Sequence, residues 1–131
     1  MNRFQQREQA FFLIFQNQFA PLIDDDSISI YSENVEEVGE YAKELYEGVL
    51  EKKEELDEFI STYSNGWKIS RLPKVNLSIL RLAVYEIKYV DNVPDSVAIN
   101  EAVELAKKYS SKEDSAFING VLGTFARSLA Q

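Results

Sequence analysis

The sequence predicts an all-α fold of about seven helices, on three observations. Apolar residues recur at the three-and-four spacing of amphipathic helices along most of the chain. The one stretch with strand-like alternation, residues 27–31, is short and lies in an expected acidic loop. Glycine and proline are few and fall where helices would stop. The 131 residues suit a single domain, which we expect to span residues 1–131.

Three helices are predicted in the first half of the chain. The first covers about residues 3–19. The second covers residues 33–51, with Gly48 as a weak point, and the third covers about residues 53–63. Asn65-Gly66 follows as a left-handed stop.

A short helical turn, anchored by Trp67, is predicted to precede three further helices. The first of these opens at Asn76, which can cap it. The next begins at Asp95 or Ser96, either of which can serve as its cap. A polar loop at residues 110–114, which holds two candidate caps, then leads into the last helix, and we expect Asp114 to cap it.

The charge is concentrated in one segment. The net charge is −8, yet residues 24–58 alone carry −11, whereas residues 1–23 carry +1 and residues 59–131 carry +2. This distribution excludes a general basic coat for nucleic acid but leaves room for a local basic patch. A polyanion would have to approach the ends of the sequence.

Several kinds of chemistry are excluded by composition. The chain has no cysteine and no histidine, so disulfides, thiolate zinc sites and Ser-His-Asp triads are absent. The run Asp24-Asp25-Asp26 lacks the glycine and final glutamate of a calcium loop. We therefore expect no metal, no cofactor and no enzymatic activity.

The longest apolar run near the N-terminus, residues 11–15, is far too short to span a membrane. No small-residue cleavage site follows it, so we do not identify a signal peptide. We expect a cytoplasmic protein without membrane partners.

Three blocks in the second half of the chain resemble the C-terminal signature of the NusB family. They read LRLAVYE at residues 80–86, VP followed by VAINEAVELAK at residues 93–107, and FINGVL at residues 117–122. Trp67 with Arg71, and Arg7-Glu8 near the start, extend the likeness across the chain.

This resemblance implies a transcription antitermination factor with two perpendicular three-helix halves, here residues 1–66 and 67–131. It implies pairing with the ribosomal small-subunit protein NusE. The pair would bind boxA, a single-stranded RNA element of nascent ribosomal RNA leaders, within an RNA polymerase antitermination complex. No cofactor is implied.

The candidate RNA-binding residues lie near the starts of the first and last helices. Four-residue spacing puts Arg3 and Arg7 on one helix face, where they could clamp phosphates or could be ordinary solvated charges. Phe117 could offer a stacking surface to a base or belong to the core. The full set is Arg3, Gln6, Arg7, Lys112, Asp114 and Phe117.

For the protein partner, the resemblance indicates the junction of the two halves, with Tyr46, Leu50 and Asn76 as candidates, although Tyr46 and Leu50 could instead belong to the core. The chain departs from the family pattern in its sparse N-terminal arginines, in Ala116 where a lysine is common, and in the uncharged Asn76-Leu77. RNA binding by the isolated chain should therefore be weak. The alternative is a protein-interaction module or homodimer that keeps the fold with little RNA binding.

Other residues of the signature are expected to be structural. We predict that Asn100 and Asn119 are buried hydrogen-bonding residues and that Gly120 allows a close approach of helices. Arg81, together with Tyr85 and Glu86, is predicted to form a polar link between the halves.

Overall fold

The computed structural model describes residues 1–19 and 26–130, and all regular structure in these residues is helical. Six α-helices and one 3-10 turn are present in this part of the chain, which confirms the all-α prediction. The helices are α1 (Arg3–Phe19), α2 (Ser27–Asn34), α3 (Glu40–Tyr63), α4 (Lys74–Tyr89), α5 (Asp95–Tyr109) and α6 (Lys112–Leu129), and the 3-10 turn is Ile69–Arg71.

Helix α4 lies at the centre of the packing, in contact with α1, α3, α5 and α6. Every residue from Asn76 to Val84 is buried, as expected of a helix that is apolar on most of its surface. The largest side chains buried with it come from the four helices that contact it and include Leu13, Tyr46, Leu105 and Phe125. The division at residues 66 and 67 falls in the turn that precedes Ile69–Arg71, and it stays a prediction.

The predictions for residues 27–63 are wrong in two respects. Residues 27–31 belong to α2 and not to a loop, because alternation over five residues does not distinguish a strand from a short helix. The two helices predicted over residues 33–51 and 53–63 are replaced by the single helix α3. Gly48 is buried inside α3, and a side chain there would overlap the ring of Tyr85. Glycine thus permits a close approach of α3 to α4 and does not mark a helix end.

The predicted helix caps also require correction. Helix α4 begins at Lys74, so Asn76 lies in its first turn and is not the cap. Helix α5 begins after Pro94 without a capping side chain. In α6 the cap is Ser111, whose hydroxyl accepts a hydrogen bond from the backbone N–H of Asp114 at 3.1 Å. Asp114 therefore donates to the cap instead of forming it.

In the part of the chain that the structure describes, no helix combines the length and the apolar character that a membrane crossing requires.

Candidate nucleic-acid and partner interface

Arg7 lies in the interior, with 4% of its surface exposed. Its Nε is 2.9 Å from both carboxylate oxygens of Glu86, and its guanidinium is 3.7 Å from Glu101. Tyr41 donates a further hydrogen bond to Glu86. Burial lowers the pKa of Arg7, but the hydrogen bond and charge of Glu86 outweigh it, so this pKa lies above its usual value. The prediction that Arg7 clamps an RNA phosphate is therefore wrong, because the side chain is already committed inside the fold.

Gln6 also has a structural role. Its Oε1 accepts hydrogen bonds from the backbone N–H groups of Tyr41 at 2.9 Å and Ala42 at 3.3 Å. These groups open α3, whose own N-cap is Gly39 and has no capping side chain. Gln6 therefore caps α3 from α1 and satisfies donors that a helix start leaves free. Its carbonyl is not available to RNA, so the predicted RNA contact can involve only its amide N–H groups.

Arg3 remains an exposed cation at the start of α1. Its guanidinium carbon lies 3.9 Å from the centre of the Tyr41 ring, a cation–π contact that orients the side chain without neutralising it. Arg3 thus keeps the position that a phosphate contact requires.

The start of α6 presents the other candidates together. Lys112 is exposed, Asp114 and Phe117 are half-buried, and Ser110 donates a hydrogen bond to the Asp114 carboxylate. Lys112 has no ion pair in the described residues, whereas Lys108 pairs with Glu8 at 2.5 Å. Phe117 packs partly on the core and lines a cavity of about 300 Å³. Phe117 is thus partly a core residue and partly accessible, and its stacking on a base stays a prediction.

The cavity beside Phe117 reveals two residues that were not among the predicted sites. It is also lined by Trp67 and Arg71. Trp67 is 54% exposed, so the prediction that it anchors the turn in the interior is wrong. The sequence feature that could have indicated this site is the spacing of Trp67 and Arg71, four residues apart and directly after the left-handed turn at Asn65-Gly66.

Two of the three partner candidates are not exposed. Tyr46 has no exposed surface and Asn76 has 2%, so neither can contact a partner in this conformation. Tyr46 follows its alternative as a core residue, and the prediction for Asn76 is wrong. Tyr46 faces the core from α3, and Asn76 accepts a hydrogen bond from Ser110 at 3.4 Å. Leu50 is half-buried and remains accessible in part.

An aromatic surface at the end of α1 was missed. Phe19 is 61% exposed and lies edge-on to half-buried Phe15, with 4.9 Å between ring centres. The ammonium of Lys74, at the start of α4, is 5.4 Å from the Phe19 ring centre. Gln18 holds the two helices together through hydrogen bonds to the Lys74 carbonyl and the Ser78 hydroxyl. Exposed aromatic side chains on a fixed support are typical of a protein interface.

The signature asparagines are exposed, contrary to prediction. Asn100, Asn119 and Gly120 all lie at the surface, and a side chain at Gly120 would meet nothing within 4 Å. Two of the three residues of the predicted polar link do join helices, because Arg81 forms paired hydrogen bonds of 2.8 and 2.9 Å with Asp57 of α3, and Glu86 holds Arg7 of α1. The ring of Tyr85 packs against Gly48 instead.

The described residues contain no group of three acidic side chains placed to hold a metal ion. Asp24 and Asp25, considered above for cation binding, lie outside the described residues.

Comparison with known proteins gives one consistent family. A model of the NusB family matches residues 5–127. The transcription antitermination protein NusB of Listeria monocytogenes is 44% identical over 126 residues, covering 96% of this chain and 97% of the relative. Thermotoga maritima NusB matches with a TM-score of 0.83 and 33% identity, covering 97% of this chain and 92% of that one. A crystal structure of antitermination factors NusB and NusE with dsRNA matches with a TM-score of 0.85 and 25% identity, covering 98% of this chain and 99% of that one.

Proposed function

The chain belongs to the NusB family of transcription antitermination proteins, and from this premise we propose that it acts by pairing with NusE and binding boxA-type RNA. The observation that carries the proposal is the match, over 98% of this chain, to a structure of NusB and NusE in complex with dsRNA. The factor would work by binding alone, without catalysis, in the cytoplasm, where nascent ribosomal RNA and ribosomal proteins meet.

The RNA-binding surface that we propose consists of Arg3, Lys112, Asp114 and Phe117. Arg3 and Lys112 are exposed cations without an ion pair in the described residues, and Phe117 offers part of its ring to a cavity. Two cations release few counterions, so the affinity should be modest and the salt dependence shallow. An aromatic face can add about 1–3 kcal/mol for each stacked base.

The acidic segment limits where RNA can bind. Residues 24–58 carry a net charge of −11, and the described part of this segment includes the whole outer face of α3 up to Glu58. A polyanion would be repelled from that face and directed to the mildly basic remainder of the molecule.

The partner surface that we propose for NusE is centred on Phe15, Phe19 and Lys74. Phe19 is the most exposed aromatic side chain of α1, and the hydrogen bonds of Gln18 fix this end of α1 relative to α4. Aromatic residues at the centre of an interface commonly supply much of its binding energy. We therefore expect Phe19→Ala to weaken NusE binding about tenfold or more, whereas Ile30→Ala, which changes an exposed apolar residue of α2, should not.

The test of the proposed function is the anisotropy of a labelled boxA-type RNA, titrated with this protein with and without NusE at two salt concentrations. We expect NusE to raise the affinity and salt to lower it. Arg3→Ala should reduce the slope of log affinity against log salt by about 0.7, and Phe117→Ala should weaken binding about fivefold or more. Arg127→Ala, an exposed arginine at the far end of α6, is the matched control.

Binding no stronger than that of a scrambled RNA, with or without NusE, would contradict the proposal. If the protein then formed a concentration-dependent dimer in sedimentation experiments, the alternative of a protein-interaction module would be favoured.

A further inference from the structure

The turn between α3 and α4 holds a large aromatic ring in solvent. Asn65 and Gly66 both have positive φ, 52° and 83°, which reverses the chain after α3. The buried hydroxyl of Ser64 donates to the Trp67 carbonyl at 2.8 Å, and the Trp67 N–H donates to the Ser64 carbonyl at 3.1 Å. The backbone of Trp67 is therefore fixed, while its side chain is 54% exposed. Solvent-exposed tryptophan on an ordered support commonly belongs to a binding surface.

Two free cations flank this ring. Lys68 and Arg71 are exposed, and neither has an ion pair or a side-chain hydrogen bond with any residue that the structure describes. By contrast, Arg7, Arg81 and Lys108 are all neutralised by carboxylates. In a chain of net charge −8, two unpaired cations beside an exposed ring form a local site for an anion.

Trp67 and Arg71 lie between two adjoining cavities and line both of them. One, of about 330 Å³, is lined by Asn65, Gly66 and Lys68 together with Trp67 and Arg71. The other is the cavity of about 300 Å³ that contains Phe117 and Asp114 and shares Trp67 and Arg71 with the first. A continuous surface thus runs from Phe117 past Arg71 and Trp67 to Lys68.

The chemistry of this surface fits unstacked bases and a phosphate backbone. Aromatic faces bind bases of a single strand, and cations between them bind its phosphates. The Asp114 carboxylate lies in the cavity that contains Phe117. It repels phosphate and can accept a hydrogen bond from the N–H groups of a base. A duplex keeps its base faces stacked inside and cannot use Trp67 and Phe117 in this way.

We infer that Trp67, Lys68 and Arg71, here called the Trp67 surface, form a second subsite for single-stranded RNA that continues the strand beyond Phe117. This inference rests on the proposed function and adds a stretch of RNA to it. A base stacks on Trp67, and the adjacent phosphates contact Arg71 and Lys68. RNA that ends at Phe117 does not reach this subsite.

Trp67 is the only tryptophan of the chain, so its intrinsic fluorescence reports on the subsite directly. The experiment titrates the protein with boxA-type RNA oligonucleotides of increasing length, following Trp67 fluorescence and RNA anisotropy together. A second series of titrations contains NusE. The Trp67→Phe variant, titrated in the same way, measures the fluorescence that NusE contributes, and this signal is subtracted. The same RNA as a duplex, and a poly-glutamate peptide, serve as competing ligands.

We expect the longer single strands to quench Trp67 and the shortest to bind without quenching. Trp67→Ala should weaken binding of the longer RNA about tenfold and leave the shortest unaffected. Arg71→Ala should lower the salt slope by about 0.7 for the longer RNA only. Arg127→Ala should change neither quantity. Because Trp67 and Arg71 are exposed, both variants should have the same melting temperature as the wild type, and thermal unfolding checks this.

The inference is overturned, with the proposed function intact, if RNA binds by anisotropy while Trp67 fluorescence stays constant and Trp67→Ala and Arg71→Ala bind normally. Equal quenching by the duplex or by poly-glutamate also overturns it. A complete absence of RNA binding overturns both proposals.

Discussion

Arg7 and Glu86 are 79 positions apart in sequence and meet in the interior, with the Arg7 Nε 2.9 Å from each carboxylate oxygen of Glu86. Both side chains are at most 5% exposed. Each charge compensates the desolvation of the other, so neither is stable alone at this place. The pair joins α1 to α4, and Tyr41 adds a hydrogen bond from α3.

Removing either Arg7 or Glu86 alone should therefore lower the free energy of unfolding much more than removing both. Glu86→Ala leaves Arg7 buried without its carboxylate and should lower the free energy of unfolding by about 3–5 kcal/mol. The double variant Arg7→Met/Glu86→Leu, of similar volume, should lose considerably less. Urea unfolding measures both, and an equal loss in the two variants would show that packing, and not charge pairing, determines the cost.

Gly48 should not tolerate a side chain. Gly48→Ala places a methyl group within the ring of Tyr85, and moving that ring should cost about 1–3 kcal/mol of stability. Gly120→Ala is the control in another helix, because no neighbour lies within 4 Å and alanine is favoured over glycine in helices by about 1 kcal/mol. The melting temperature should therefore fall in Gly48→Ala and rise in Gly120→Ala. A stabilised Gly48→Ala would mean that α3 and α4 are less closely packed in solution.

The start of α3 should depend on Gln6. Gln6→Ala removes the acceptor of the Tyr41 and Ala42 N–H groups and should cost about 1 kcal/mol, typical of a lost cap. Amide hydrogen exchange at Tyr41 and Ala42 should accelerate. Gln5→Ala is the comparison, since the side chain of Gln5 accepts a hydrogen bond from the Asn2 N–H at the exposed N-terminus and from no other residue that the structure describes. Unchanged exchange at both amides would refute the capping role.

Tyr89 should make the protein less stable in alkali. A hydrogen bond to Glu55, together with burial, raises the pKa of Tyr89 to about 12, against about 10 in an unfolded chain. The stabilisation is fully present below about pH 10 and is lost as the pH rises toward 12, because the unfolded state gives up the proton first. Absorbance titration of tyrosinate should show this late ionisation.

Two variants isolate this effect from the other tyrosines. Tyr89→Phe should reduce the alkaline loss of stability, and Glu55→Gln should bring the Tyr89 pKa closer to 10 because the carboxylate charge is gone. If Tyr89→Phe shows the same stability profile as the wild type above about pH 10, the hydrogen bond to Glu55 does not persist in solution.

Helix periodicity was sufficient to predict α1, α4, α5 and α6, because each has apolar residues at a regular spacing over fifteen or more positions. It was insufficient for α2, with eight residues, and for the single helix α3. Gly48 looked like an interruption because its reason to be glycine, the ring of Tyr85, lies on another helix.

The candidate site was harder to predict than the fold. Spacing correctly puts Arg3 and Arg7 on neighbouring turns of α1, but it does not tell which of them meets a buried carboxylate 79 positions away. Tyr46 and Phe19 show the same difficulty, since both are aromatic residues of amphipathic helices, yet one is fully buried and the other is mostly exposed. Such differences depend on which helices pack together, and only tertiary structure supplies that.

The long separation of Arg7 from Glu86 has a consequence for folding during synthesis. Helix α1 leaves the ribosome first, but Leu13 and Ile14 are buried only with α3 and α4 in place. Until Glu86 emerges, Arg7 lacks its buried carboxylate partner, and α3 can cover the apolar face of α1 but α4 cannot. The nascent chain must therefore keep part of its N-terminal helix exposed until α4 has been synthesised, a period in which it is open to chaperones and proteases.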